Sequence, residues 1–209
     1  MKHVFTIVLM MALYTGPLQM FGQTYNPVAV TGYNNDVVAE GGTNAMAVTS
    51  TELDLSFYLL YSAAFATANG ISGGMADNGT VVNGNRTYQL APYNAPNGLY
   101  LSAGGAIVNT AASGTLAVTT PAAYSKLSLL LFSTEGNSTI SATLHFTDGS
   151  TAPGGSLNVQ DWFDGTNAVY TGFGRIGRLS APPYLVDGLA NNNPRFYRFD
   201  IPMACSNQP

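Results

Sequence analysis

Through residues 139–147 the chain alternates without a break. Ile140, Ala142, Leu144 and Phe146 fall on one face, and Ser141, Thr143, His145 and Thr147 on the other. A period of two is that of a half-buried β-strand, and Asp148-Gly149 follows as a hairpin turn. The same period runs through Leu116-Ala117-Val118, and Pro121 ends that strand. Residues 127–132 are almost continuously apolar, which predicts a central strand covered on both faces. Applied along the whole chain, the pattern predicts strands at 28–33, 55–64, 87–93, 98–103, 114–119, 127–133, 139–147, 156–162, 168–176 and 195–201. Residues 55–68 carry enough Leu and Ala to fit a helix as well; the strand reading is kept. Short strands separated by turn chemistry every 8–15 residues suggest a sandwich or closed barrel.

Composition reinforces this reading. The chain holds 21 Thr, 18 Asn and 15 Ser, while charged residues are only 9%, against roughly 25% in ordinary domains. Thr and aromatics suit pleated surfaces; Gly, Asn and Pro suit turns. With 46% hydrophobic residues in a chain of 209, one sizeable core is expected, and no repeat or linker divides it. Seven basic residues and a formal charge of −4 cannot build a phosphate-neutralising face, so nucleic acid is excluded as a partner.

The ends carry their own signals. Lys2 and His3 precede an apolar run at 4–14, then Thr15-Gly16-Pro17 and a small-residue exit near Gly22. Eleven residues are too few to span a bilayer, and the arrangement predicts a signal peptide at 1–22. The expected protein is secreted or displayed at the cell surface, with no membrane span, a β-domain over 23–203 and a polar tail at 204–209. Cys205, in that tail, is the sole cysteine, so neither an internal disulfide nor a Cys-based zinc site can form.

A resemblance emerges from the order of several segments. These are Pro27-Val28-Ala29-Val30-Thr31-Gly32-Tyr33-Asn34-Asn35-Asp36-Val37-Val38-Ala39, Tyr88-Gln89-Leu90-Ala91-Pro92-Tyr93, Asn97-Gly98-Leu99, residues 127–136, and His145-Phe146-Thr147-Asp148-Gly149-Ser150. Asp161-Trp162-Phe163, Gly174-Arg175-Ile176-Gly177-Arg178 and Asn193-Pro194-Arg195-Phe196-Tyr197 complete the series. In this order the chain resembles the jelly-roll modules of secreted bacterial cell-surface proteins, related in shape to galactose-binding-like β-sandwiches. The resemblance implies a single antiparallel β-sandwich of jelly-roll topology. It implies no one activity.

Catalytic chemistry is hard to find. His3 lies in the signal, and His145 sits on the polar face of the clearest strand, as an exposed sheet histidine or else a base or metal ligand. Gly172-Phe173-Gly174-Arg175-Ile176-Gly177 fits G-x-G-x-x-G in letters only, because no βαβ unit surrounds it. No nucleophile elbow or paired-histidine zinc motif occurs. The expectation is therefore a non-enzyme without a cofactor.

Asp161-Trp162-Phe163-Asp164-Gly165 is the best local cluster. It reads as a turn, a ligand-contacting loop, or a calcium loop with Asp161 and Asp164 as candidate ligands. Trp162, the only tryptophan, is either a core plug or a sugar-stacking platform. Arg175, Arg178, Arg195 and Arg198 either pair with Asp161, Asp164, Asp187 or Asp200, or offer a planar fork to a glycan. The site expected for a glycan comprises Trp162, Tyr93, Asn94 and Arg175. Two functions compete: a carbohydrate-binding module, and a structural or adhesive module that contacts protein. A concave-surface Trp162 would favour the first and a buried Trp162 the second.

Overall fold

The computed structural model describes residues 25–102 and 111–203. The signal peptide predicted at 1–22, the Gly104-Gly105 loop and the tail with Cys205 lie outside these residues. Of these described residues 38% are strand and 8% helix, so the fold is all-β.

The first strands are β1 (Val30–Thr31), β2 (Val38–Ala39), β3 (Tyr58–Tyr61), β4 (Thr80–Asn83), β5 (Arg86–Gln89) and β6 (Ala117–Val118). They are followed by β7 (Lys126–Leu131), β8 (Ser138–His145), β9 (Thr151–Val159) and β10 (Tyr170–Thr171). The chain closes with β11 (Arg175–Gly177), β12 (Val186–Asp187) and β13 (Arg195–Pro202). Among the described residues one α-helix, α1 (Ala63–Asn69), and two 3-10 turns, Ala45–Ala47 and Leu189–Asn191, interrupt the series.

Residues 55–68 therefore divide, rather than forming one strand. After β3, the Ser62 side chain accepts from Phe65 N, and Gly70 closes the helix in the left-handed region at φ 63°. An N-cap serine, an Ala-rich turn and a C-terminal glycine give helix locally. Three strands had no clear signal in sequence: β2, β4 and β12. Two of them have only two residues, too few to show a period.

Two sheets organise the interior. The first has the order β12-β11-β3-β2 and is not wholly antiparallel, since β2 runs parallel to β3. Its alternation feeds two cores. Leu59, Tyr61, Ala39 and Ile176 join Phe65 of α1 and Tyr184 on one face; Leu60 and Val38 join Trp162, Phe173 and Phe196 on the other. The second sheet has the order β10-β13-β7. Phe196 and its neighbour Phe132 stack at 5.0 Å toward the Trp162 core. Leu127, Leu129, Leu131, Phe199 and Ile201 turn to the opposite side, against the β8–β9 hairpin. The sequence predicts β7 as a central strand covered on both faces. Each of its faces does touch a core, but all six residues stay half-buried, because it lies at the edge of this sheet with β13 in the centre.

The hairpin follows its sequence closely. Ile140, Ala142 and Leu144 are half-buried and Ser141, Thr143 and His145 exposed. Gly149 N donates to Phe146 O at 3.0 Å to make the turn. One irregularity occurs, at Ala142/Thr143, where β9 carries an extra residue.

Candidate functional site

Asp161 to Gly165 follows β9 and is joined by backbone hydrogen bonds to Ser133 and Arg195, and side-chain hydrogen bonds fix it at both ends. Asp161 Oδ1 accepts from Phe163 N at 2.8 Å, and Oδ2 accepts from Gly136 N at 2.6 Å. Asp164, in the left-handed region at φ 63°, exchanges hydrogen bonds with Asn193: its N donates to Oδ1 at 3.2 Å, and its Oδ1 accepts from Nδ2 at 3.1 Å. The two candidate calcium ligands are thus committed to turn formation. Among the described residues no three metal-ligating side chains cluster.

This turn carries Trp162 inward. The indole is 2% exposed, stacked on Phe132 at 5.6 Å and edge-on to Phe163 at 5.9 Å. It presents no face to a ligand, which corrects the sugar-platform reading: a lone large aromatic ring gains more from interior contacts than from a wet loop. Tyr93 is likewise internal, 7% exposed, with its hydroxyl donating to Ala76 O at 3.0 Å. Burial pushes its phenol pKa up.

Arg175 does lie beside Trp162, but it is fully engaged. Its guanidinium sits 3.9 Å from the ring centroids of both Tyr58 and Phe163 and 5.0 Å from that of Trp162. Its nitrogens reach Asp54 at 2.8 Å and Asp187 at 2.7 Å. Burial raises the Asp54 carboxyl pKa, against the hydrogen bond from Tyr58 N and the Arg175 charge. Cation, aromatic walls and two carboxylates form a closed unit that ties β11, β12 and the 53–58 loop together.

Of the other arginines, Arg86, Arg178 and Arg195 also pair, though not all as expected, while no ion pair of Arg198 occurs among the described residues. Arg178 reaches Glu52 at 3.3 Å and Arg195 approaches Asp164 at 3.7 Å. Asp200 is held by Arg86, from both guanidinium ends at 2.7 and 3.0 Å. Arg86 and Asp54 carried no sequence motif; a charged residue flanked by turn and strand letters gives no hint of its partner 114 or 121 positions away.

Asn94 alone of the expected four stays exposed. It borders an open pocket of about 440 Å³ shared with Asp36, Glu40, Thr49 and Ser50. Asp36 Oδ1 accepts from Asn97 Nδ2 at 2.7 Å, and burial lifts its pKa above the ordinary carboxylate value. Glu40 is raised by burial and further by the Asp36 charge. Its Oε2 is enclosed without a hydrogen-bond partner. A larger open cavity, about 560 Å³, runs between Pro27–Tyr33 and Gln89–Pro92 and is mainly apolar. The four residues do not converge: Trp162 and Arg175 meet in the core, Tyr93 packs elsewhere in it, and Asn94 faces solvent. Neither Asp36 nor Glu40 was singled out as a site residue by sequence, because a lone carboxylate beside a glycine turn gives no sign of a pocket.

No protein-family model matches the chain, and neither a curated protein nor a solved structure does.

Proposed function

We propose that this chain is a secreted, non-catalytic module of jelly-roll type whose work is structural or adhesive contact with protein. The observation that carries this is the 2% exposure of Trp162. The aromatic and guanidinium groups best suited to stacking on a sugar are used inside, where Trp162 and Arg175 hold sheets and loops together. Signal-like residues at 1–22 and the low charge support a place outside the cytoplasm. A glycan array probed with the purified chain tests the reading. Silence across the array supports it; a bound glycan overturns it.

A second reading rests on the pocket at Asp36. Carboxylates, hydroxyls and the Asn94 amide around an open hollow suit a polyhydroxylated ligand, and the partnerless Glu40 Oε2 would gain a donor from it. Such an exposed site competes with water, so binding of about 4–8 kcal/mol is expected. Under this reading a bound glycan is lost in Asn94→Ala and in Glu40→Gln. Binding that survives both would place the ligand elsewhere.

A further inference from the structure

We propose that the outer edge of β8 pairs with the same edge of a second copy of this chain, joining two hairpins into one four-stranded sheet. This deepens the protein-contact reading, and rests on it, by naming the partner.

Among the described residues the backbone ladder of β8 runs to β9 alone. Its other side therefore offers unpaired N–H and C=O groups over 8 residues, about 26 Å at ~3.3 Å per residue. Sheet edges are templates for strand addition unless blunted by charge, proline, bulges or brevity. Other edges here are blunted. β9 carries Pro153 and the extra residue, β7 begins with Lys126, and β12 is two residues long and ends in Asp187. β8 has none of these devices, and residues 138–147 contain no Asp, Glu, Lys or Arg.

Its side-chain pattern also favours its own image. An antiparallel pair keeps inward residues opposite inward residues only when paired positions share parity. With Ala142 on a two-fold axis, Ile140 faces Leu144 of the copy, Ser141 faces Thr143, and Thr139 faces His145. Large meets large around a small centre, hydroxyl meets hydroxyl, and the two imidazoles lie at opposite ends of the seam. The apolar row Ile140, Ala142 and Leu144 is left half-buried, so a neighbouring hairpin would extend its cover.

Sedimentation velocity of the purified chain over a concentration series tests this. The wild type should dimerise, and the Ser141→Lys/Thr143→Lys double variant should sediment as a monomer with unchanged circular dichroism, since both side chains are exposed. Thr151→Lys changes the same face on β9 and should leave the dimer intact. A wild type that stays monomeric at about 1 mM, where even millimolar affinity registers, overturns the inference. So does a dimer indifferent to the double variant, or one dissolved equally by Thr151→Lys. The array result is independent: a β8-paired dimer that binds glycan would keep the inference and refute the functional reading, and a monomer silent on the array would do the reverse.

Discussion

Two apolar layers of this protein use similar residues and end in different states. In the layer under β3, Leu59, Tyr61, Phe65 and Ile176 are completely enclosed, with sheet on one side and α1, Tyr184 and the 45–49 turn around the rest. In the layer under the hairpin, only Leu157, Val159 and Ile201 are fully buried; Ile140, Leu144, Leu127, Leu129 and Leu131 remain half-exposed. Burial stabilises in proportion to the apolar area removed from water. A hairpin laid on a sheet removes area from one direction only, and two strands alone are marginal. The first layer and the Trp162 core adjoining it form the stable body, and the hairpin is a flap upon it.

The largest test of that contrast is Trp162→Ala. Removing the indole leaves a cavity against Phe132, Phe163 and Arg175, with an expected cost of about 4 kcal/mol. Urea unfolding should show a much lower midpoint. A loss below about 1 kcal/mol would break the view that the body is the stable part.

Next comes a matched pair of truncations. Leu59→Ala in the enclosed layer should cost about 3 kcal/mol, and Leu144→Ala in the hairpin about 1 kcal/mol, because the hairpin leucine loses less buried area and its site can collapse. Equal losses would mean that the hairpin is as tightly enclosed as the body.

The contrast also explains what was legible in sequence. The face pattern of β8 could be read from Ile140 to His145 because one face stays wet, and a wet face enforces alternation. The sequence reading nevertheless runs the strand on to 147 and begins its partner at 156, where β9 begins at Thr151. β3 hides its period: Tyr58-Leu59-Leu60-Tyr61 is covered on both faces, so nothing polar marks the outside. The Ser62 cap and Gly70 that separate helix from strand were present in the letters, but Leu and Ala content alone does not weigh them. The candidate site was less legible still. Aromatic letters near glycine suit a binding loop and a core plug equally, and only Asn94 of the four proved to be exposed. Whether Arg175 meets a ligand or Asp54 depends on a loop 121 residues earlier.

A smaller effect is expected where β13 meets β5. Arg86 is 10% exposed in its side chain and relies on Asp200, so Asp200→Asn leaves a nearly buried cation with neutral partners. Since Asp200 itself is partly solvated, about 2 kcal/mol is expected rather than the full cost of breaking a buried pair. Burial alone would raise the Asp200 pKa, yet hydrogen bonds from Ser128 and Arg86, with the Arg86 charge, hold it below the ordinary 3.8. A carboxyl depressed in the folded state stabilises above its unfolded pKa and loses that contribution as pH falls through the folded one. The gap between wild type and Asp200→Asn should therefore be full at neutral pH and close on acidification below about 4. A pH-independent gap would show that charge is not what Asp200 supplies.

The smallest effect belongs to the tip of the flap. Asp148 Oδ1 accepts from Ser150 N at 2.8 Å, and the Ser150 hydroxyl and N–H together lower the Asp148 pKa. Asp148→Ala removes this clasp from a fully exposed turn. The melting temperature should hardly move, because the body sets it, while hydrogen exchange of β8 and β9 amides should quicken as the hairpin opens on its own. The wild-type hairpin should keep its protection from neutral pH down to the ordinary carboxylate range and lose it as pH falls through the lowered Asp148 pKa. Hairpin amides that exchange only with those of β3 and β11, in wild type and variant alike, would show that flap and body unfold as one unit.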